Sequence, residues 1–357
     1  MNTSSYRNFQ NIPVVDISLL YSDDLSHRLK VAEQIKTAAS QVGFLYITGH
    51  QVPASTIDNL KQAAETFFMQ PHELKMRSYI GYSSNHSGYV PEGEERFYST
   101  TPQTTPPDHK ESYDISFELN DMRFARPMLG KNQWPELVGF REAVSDYYQQ
   151  AFQLGQLLFR GFALALGLPE STFVEQAQMP PSQLRMVHYP YSQARQAQEG
   201  IGAHTDYECF TLLLPTADGL EVLNGQGQWI DAPFRPDCFV VNIGDMLEVL
   251  SNGRFIATSH RVRKVQQERY SFPLFCSLDY DTCVEPILPP LPGNKADQYG
   301  PIICGDHLYS QTIHTFQYLQ KRLQDGDITL PQSAKPIATF GQFKNVQTNI
   351  HPAEDPS

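Results

Sequence analysis

Two histidines and an aspartate are the residues of this chain best placed to hold a reactive metal. His204 and Asp206 stand in Gly202-Ala203-His204-Thr205-Asp206-Tyr207, and His260 in Thr258-Ser259-His260-Arg261-Val262. Residues i and i+2 point to one side of a strand, so His204 and Asp206 can ligate one ion without bending the backbone. A second imidazole from another strand completes a set that leaves half of an octahedral ion open to reactants, an arrangement suited to Fe(II). Arg269 and Ser271 follow in Arg269-Tyr270-Ser271, where a guanidinium and a hydroxyl on one strand face suit a carboxylate. Singly, each feature has an ordinary reading: His260 as a strand histidine, Arg269 as half of an internal ion pair. Their shared order and spacing favour chemistry.

These residues need a rigid support, and the chain can build one. It has 357 residues with no Gly/Ser linker, charge run or low-complexity tract, so one large core is expected. Its 21 Phe and 18 Tyr supply apolar volume, while 26 Pro and 22 Gly point to many turns and prominent sheet. A net charge of -12 without any Lys/Arg cluster argues against nucleic acid as a partner. No apolar run is long enough to span a bilayer, and the start resembles no signal peptide, so a cytoplasmic location is expected. The five cysteines are odd in number and lack C-x-x-C spacing, which implies neither a disulfide framework nor a zinc site.

Apolar spacing predicts strands at 12–17 and 44–47, and helices at 24–42, 55–69, 136–166 and 306–323, the last covering the outside of the sheet. From 184 to 278 short apolar runs alternate with turn signals, giving strands at 184–190, 209–215, 220–224, 228–232, 239–243, 255–262 and 269–278. A turn is expected at Gly244-Asp245. Such closely spaced strands suggest a jelly-roll barrel. Residues 80–135, rich in Gly, Pro, Ser and Thr, read as a lid loop. By alternation Arg185, Val187 and Tyr189 share a face, which makes Arg185 a candidate substrate contact, and Phe275 shares the face of Ser271. His188 falls on the opposite face, where a core hydrogen bond is its expected role.

Ile12-Pro13-Val14-Val15-Asp16, Gly43-Phe44-Leu45-Tyr46-Ile47-Thr48-Gly49-His50, Leu184-Arg185-Met186-Val187-His188-Tyr189-Pro190, Ala203-His204-Thr205-Asp206-Tyr207, Gly219-Leu220-Glu221-Val222, Asn242-Ile243-Gly244-Asp245, Ser259-His260-Arg261-Val262 and Arg269-Tyr270-Ser271 stand in an order that resembles the isopenicillin N synthase-like branch of the Fe(II)/2-oxoglutarate-dependent dioxygenases. The resemblance runs from about residue 12 to 280. It implies a mixed α/β fold in which a double-stranded β-helix, the jelly-roll or cupin-like barrel, is flanked by helices. Residues 1–135 would form the N-terminal α/β region with its lid, 136–325 the catalytic core, and 326–357 a C-terminal extension. It implies that His204, Asp206 and His260 hold Fe(II), that Arg269 and Ser271 bind the distal carboxylate of 2-oxoglutarate, and that Tyr189 adds a hydroxyl nearby. Turnover with O2 would yield succinate and CO2, with ascorbate as a supporting reductant. Asp206 would favour hydroxylation, desaturation or ring closure and leave the halogenating variant the least expected branch.

Contacts to a small polar substrate are expected from Arg185, Phe275 and Tyr207. By similarity to relatives, Glu111 and Tyr113 in Asp108-His109-Lys110-Glu111-Ser112-Tyr113 would contact it at the cavity mouth, and Gly88-Tyr89-Val90-Pro91 would form part of the lid. Three other readings stay open. One is an oxidase without the keto acid, of the isopenicillin N synthase or aminocyclopropanecarboxylate oxidase type. Another is an ethylene-forming enzyme, and the third a non-catalytic binding protein. The sequence does not fix the substrate or the oligomeric state.

Overall fold

The computed structural model describes residues 8–96, 110–191, 200–263, 267–292 and 299–333. Strand β1 (Val14–Asp16) leads through α1 (Leu25–Gln41) to β2 (Phe44–Thr48), followed by α2 (Ala54–Phe68), α3 (His72–Met76), β3 (Gly88–Val90) and β4 (Glu111–Ser116). Next come the long α4 (Phe140–Ala165), α5 (Ser171–Val174), β5 (Gln183–Tyr189), β6 (Ile201–His204), β7 (Phe210–Pro215), β8 (Leu220–Leu223), β9 (Trp229–Ala232) and β10 (Phe239–Ile243). The remainder is α6 (Asp245–Leu250), β11 (His260–Val262), β12 (Arg269–Cys276), β13 (Cys283–Val284), β14 (Ile302–Ile303), α7 (Cys304–Thr315) and α8 (Gln317–Asp325). Among the described residues no helix is long and apolar enough to cross a membrane.

Eight strands form the main sheet in the order β1-β2-β10-β7-β12-β5-β4-β3, and four form a second sheet in the order β6-β11-β8-β9. Strand alternation gives the main sheet two different faces. Leu184, Met186, Phe210, Leu212, Val241, Phe272 and Leu274 join the large cluster that also buries the apolar stripes of α1, α2 and α4. The opposite face carries Phe44, Tyr46 and Val240, which pack on Leu220 and Val222 of the smaller sheet, and Val187 and Tyr189, which pack on Val262. Two sheets stacked in this way, with helices on the outer side, make the jelly roll. The site lies between the sheets.

The N-terminal region shows how local sequence fixes the frame. The Asp24 carboxylate accepts a hydrogen bond from the Ser26 N–H and starts α1. Gly43 ends the turn after it at φ +74°, and a Cβ there would lie 2.2 Å from the Ile256 carbonyl oxygen. Only glycine lets β2 approach the segment that leads to His260 so closely.

Four expectations need correction. The stretch 255–262 forms a strand only over His260–Val262, because Phe255, Ile256 and Ala257 are taken up by packing and by the Ala257 N–H bond to Glu248. Gly244-Asp245 opens helix α6 rather than a simple turn, and strand β6 lies where none was predicted. Gly88–Val90 is an edge strand paired with β4, with Tyr89 buried, not a lid. The single helix expected at 306–323 is two, broken at Phe316, whose backbone is extended because Glu95 bridges to it and the Arg96 N–H bonds the Thr315 carbonyl. Residues 97–109 of the expected lid, with Asp108 and His109, and 334–357 of the expected extension lie outside the described residues.

Gly43→Ala is expected to lower stability by about 1–3 kcal/mol, since the added carbon meets backbone as well as an unfavourable φ. Thermal denaturation checks this, and an unchanged midpoint would contradict the close approach.

Candidate metal centre and adjoining cavity

His204 ends β6, and His260 begins β11 directly opposite it in the antiparallel register. This pairing sets the two imidazole centroids 4.3 Å apart. Asp206 lies two residues beyond His204, and its Oδ1 is 3.5 Å from His204 Nε2 and 3.6 Å from His260 Nε2. Candidate ligand atoms of the three residues all lie within 4.8 Å of one another. The other face of each group is held by the protein. His204 Nδ1 is 2.8 Å from the Gly202 carbonyl and His260 Nδ1 is 3.3 Å from that of Thr258, so each Nδ1–H can donate outward and leave Nε2 as the free lone pair. Asp206 Oδ2 accepts from the Thr211 hydroxyl and, at 2.7 Å, from Asn242 Nδ2.

Electrostatics keep the set ready to bind a cation. Burial, reinforced by His204, pushes His260 down to about 4, so its imidazole is neutral near pH 7. Burial alone would raise Asp206, but His260, His204 and the Thr211 hydroxyl outweigh it and hold the carboxyl below its ordinary value. One carboxylate and two imidazole Nε2 atoms therefore face a common point. Three lone-pair donors converging without an intervening hydrogen fit a divalent ion.

A cavity opens beside the trio, lined by the inner faces of β5, β7 and β12 and by the smaller sheet. At one end Arg269 is fully buried, with its guanidinium carbon 4.8 Å from the centre of the Tyr189 ring. Its Nε reaches the Ala217 carbonyl at 3.3 Å, but Nη1 and Nη2 have no hydrogen-bond partner among the described residues. A buried guanidinium with two unused nitrogens needs an anion, and Ser271 lines the cavity two residues further on. The sequence thus brought Tyr189, Arg269 and Ser271 to the cavity that holds the trio.

Arg185 also reaches this cavity, together with Tyr207 and Phe275. Its charge is already engaged: Nη2 lies 2.9 Å from Asp114 Oδ2 and Nη1 2.7 Å from Glu95 Oε1. Lys110 Nζ approaches the second Glu95 oxygen at 2.5 Å. Burial opposes ionisation of Glu95, yet Arg185 and Lys110 bring it down to about 2. The result is a buried lattice of alternating charges, with Arg185 also stacked between the rings of Phe275 and Phe316.

Glu111 and Tyr113 are not brought to the cavity. Glu111 pairs in register with His188 and Tyr113 with Met186, which places both on the helix-facing side of the sheet. There Glu111 binds Lys75 and the Tyr89 hydroxyl, and bonds with His188, while Tyr113 packs on Phe67 and Phe140. The inward neighbour is Asp114, opposite Arg185. That expectation came from similarity to relatives and not from alternation, since apolar and polar residues alternate poorly in a strand whose two faces are both covered. His188 makes the expected buried hydrogen bond.

Other cavity residues were missed. Thr211 and Asn242 are polar positions inside otherwise apolar strands, a readable signal. Glu208, half-buried, has its carboxyl pushed up to about 8 by burial and by nearby Asp206. His86, buried in a loop at φ +59°, and Thr312, Thr315 and Phe316 of the C-terminal helices gave no local signal. Those helices therefore close the cavity rather than cover the outside of the sheet.

Comparison with known proteins agrees with this geometry. A family model described as the N-terminal region of the non-haem dioxygenase in morphine synthesis matches residues 12–137, and one of the 2OG-Fe(II) oxygenase superfamily matches 180–278. The chain is 32% identical over 329 residues to a homoarginine-6-hydroxylase of Oryza sativa subsp. japonica, covering 86% of this chain and 98% of the relative. It is 33% identical over 332 residues to the 2-oxoglutarate-Fe(II) type oxidoreductase hxnY of Emericella nidulans, covering 88% and 93%. A Caulobacter crescentus 2OG-Fe(II) oxygenase family protein superposes with a TM-score of 0.73 at 29% identity, covering 89% of this chain and 99% of that one. A full-length Neurospora crassa protein in complex with alpha-KG and thymine superposes with a TM-score of 0.70 at 27% identity, covering 88% and 97%.

Asp114→Ala is expected to destabilise the fold by about 3–5 kcal/mol, since it leaves part of the Arg185 charge buried without its partner. Denaturant unfolding measures the loss; a change below about 1 kcal/mol would mean that Glu95 alone satisfies Arg185.

Proposed function

Because the chain belongs to the 2OG-Fe(II) oxygenase superfamily, we propose that His204, Asp206 and His260 hold its iron and that Arg269 and Ser271 anchor the distal carboxylate of 2-oxoglutarate. The protein is an Fe(II)- and 2-oxoglutarate-dependent oxygenase, and we read its reaction as hydroxylation of a small polar molecule. The observation that carries the site assignment is the pair of buried, unpartnered Arg269 nitrogens in the cavity that also holds the histidine–aspartate trio. Bound iron would activate O2, the oxidant: one oxygen atom would go into succinate as 2-oxoglutarate is oxidatively decarboxylated with release of CO2, and the other would go to the substrate.

The chain's own residues hold, orient and exclude. Thr211 and Asn242 fix Asp206 through its outer oxygen, so that Oδ1 faces the ion. The Gly202 and Thr258 carbonyls fix the ring orientation of the two histidines. The Tyr189 ring lies beside the Arg269 guanidinium, whose carbon is 4.8 Å from the ring centre, and helps to position it. Val187, Leu213, Leu220 and Val262 surround this end with apolar surface, which strengthens the charge pairing and keeps water from the reacting centre.

The readings without the keto acid are not favoured, since the relatives are named for 2-oxoglutarate. The relatives' substrates differ in charge: one is named for homoarginine, and another is crystallised with thymine. Their names therefore leave the substrate's charge to be argued from this cavity.

Three outcomes test the assignment. His204→Ala should abolish substrate-stimulated succinate release, and retained turnover would refute the metal role. Arg269→Ala should weaken 2-oxoglutarate binding by on the order of 100-fold, read by calorimetry, as expected for losing one partner of a buried charge pair. Asn242→Ala should lower Fe(II) affinity by roughly 10–100-fold while leaving 2-oxoglutarate dependence in place, the usual effect of freeing a ligand's outer hydrogen bond.

A further inference from the structure

Along β5 and β12 the cavity runs from the Tyr189–Arg269 pair to the Gln183–Phe275 pair, about 20 Å at the usual strand rise. The first end suits the keto acid. At the other, Gln183 Nε2 donates to the His86 carbonyl at 3.0 Å and ties the loop that carries His86 to the cavity wall. Hydrogen bonds hold that loop from within. Asn85 Oδ1 accepts from the hydroxyls of Ser83 and Ser87, and Asn85 Nδ2 reaches the Ser116 hydroxyl at 3.3 Å. His86 itself stands at φ +59°, a left-handed conformation that costs energy for a residue with a side chain.

The ring is as fixed as the loop. It meets Phe316 edge-on with centroids 4.4 Å apart and lies nearly parallel to Tyr318, whose hydroxyl is 2.7 Å from Nδ1. Nε2 has no partner among the described residues. Hydrogen-bond accounting then selects the tautomer. The Tyr318 hydroxyl has no other partner among the described residues, so it donates to Nδ1 or leaves its own proton buried and unmatched. With Tyr318 as donor the ring proton sits on Nε2, and one buried group is left over instead of two. Burial, reinforced by Arg185 and partly opposed by Glu95, holds the ring down to about 3, so it is neutral near pH 7. Nε2 is therefore an uncharged donor.

The charges beside it are already matched. Arg185 and Glu95 bond each other at 2.7 Å, and Asp114 and Lys110 engage the rest of the pair. A carboxylate brought to Nε2 would be set against Glu95, and a cation against Arg185 and the N–H itself. Neither finds an unengaged counter-charge among these groups. A carbonyl oxygen also fits better than a hydroxyl, whose own proton would need a further partner.

We propose that His86 selects the substrate: its Nε2–H donates to an uncharged acceptor, the carbonyl oxygen of an amide-, lactam- or urea-type group, at the end of the cavity away from Arg269. This rests on the oxygenase reading above and names the substrate class of the same site. Phe275 and Met128 would bound the apolar part of the molecule. A molecule without the acceptor would leave the Nε2–H desolvated and unpaired, which is how a site of this kind rejects it.

The test is anaerobic calorimetry on the full chain loaded with Fe(II) and saturated with 2-oxoglutarate. The probes are isosteric sets of equal chain length, propanamide to hexanamide against the corresponding amidinium ions and carboxylates. The amide of a set should bind about ten-fold or more tightly than either partner. His86→Phe should cut amide binding by about ten-fold and remove that advantage, while His86→Gln, which keeps an N–H donor, should retain most of it; 2-oxoglutarate affinity should hold in both. If His86→Phe does not fold, the wild-type series and His86→Gln decide. Equal or tighter binding of the amidinium ion or carboxylate, no measurable binding of any amide, an advantage lost in His86→Gln with its thermal midpoint intact, or an advantage undiminished in a folded His86→Phe would overturn the proposal with the oxygenase reading untouched. Failure of the wild type to bind 2-oxoglutarate, measured in the preceding titration, would instead strike that reading and this proposal with it.

Discussion

The pairing of His260 with His204 across two antiparallel strands is the constraint on which the rest of the site depends. A register slip of one residue would turn one imidazole out of the cavity, since side chains alternate with a period of two. The register is held from both sides: β8 pairs with β11 on its other edge, and Gly43 lets β2 close on the segment before His260. Asp206 needs no strand of its own, because Asn242 and Thr211 reach it from neighbouring strands of the main sheet. Both sheets thus contribute to a single point. A jelly roll is a stiff way to hold such a set, which suits an ion whose open positions must stay open.

The same alternation divides the main sheet into two chemistries. Its outer face is aromatic and aliphatic and packs on α1, α2 and α4; its inner face carries Asn242, Thr211, Arg185, Arg269 and Ser271. Buried polar residues on that scale are costly unless each has a partner. Most do. Two of those left unmatched among the described residues, Arg269 and His86, line the cavity that also holds the candidate ligands. Unmatched polar groups that line such a cavity have the character of a binding surface rather than of packing faults.

How much of this could be read from the sequence follows from distance along the chain. His204, Asp206, His260, Arg269 and Ser271 sit in short motifs whose strand context is clear, and alternation correctly put Arg185, Tyr189 and Phe275 on one inner wall. Glu111 and Tyr113 failed because β4 is covered on both faces, so its pattern does not reveal which parity looks inward. The break at Phe316 failed for another reason: it is made by a tertiary bridge to Glu95, and the helical spacing of 304–325 continues through it. His86, Glu95 and Thr315 reach the cavity from segments distant in sequence. No local pattern marks them.

The two buried arginines sharpen the division of the cavity. Both lie on inner strand faces, both stack on aromatic rings, and from sequence alone either could bind a carboxylate. Their partners separate them. Arg185 is enclosed by Asp114 and Glu95, so an incoming anion would have to displace a buried carboxylate and leave it uncompensated, a change that buried charge pairs strongly resist. Arg269 has no such carboxylate among the described residues, and its Nη nitrogens gain only when an anion arrives. The same guanidinium chemistry therefore supports an anion anchor at one end and a neutralised wall at the other.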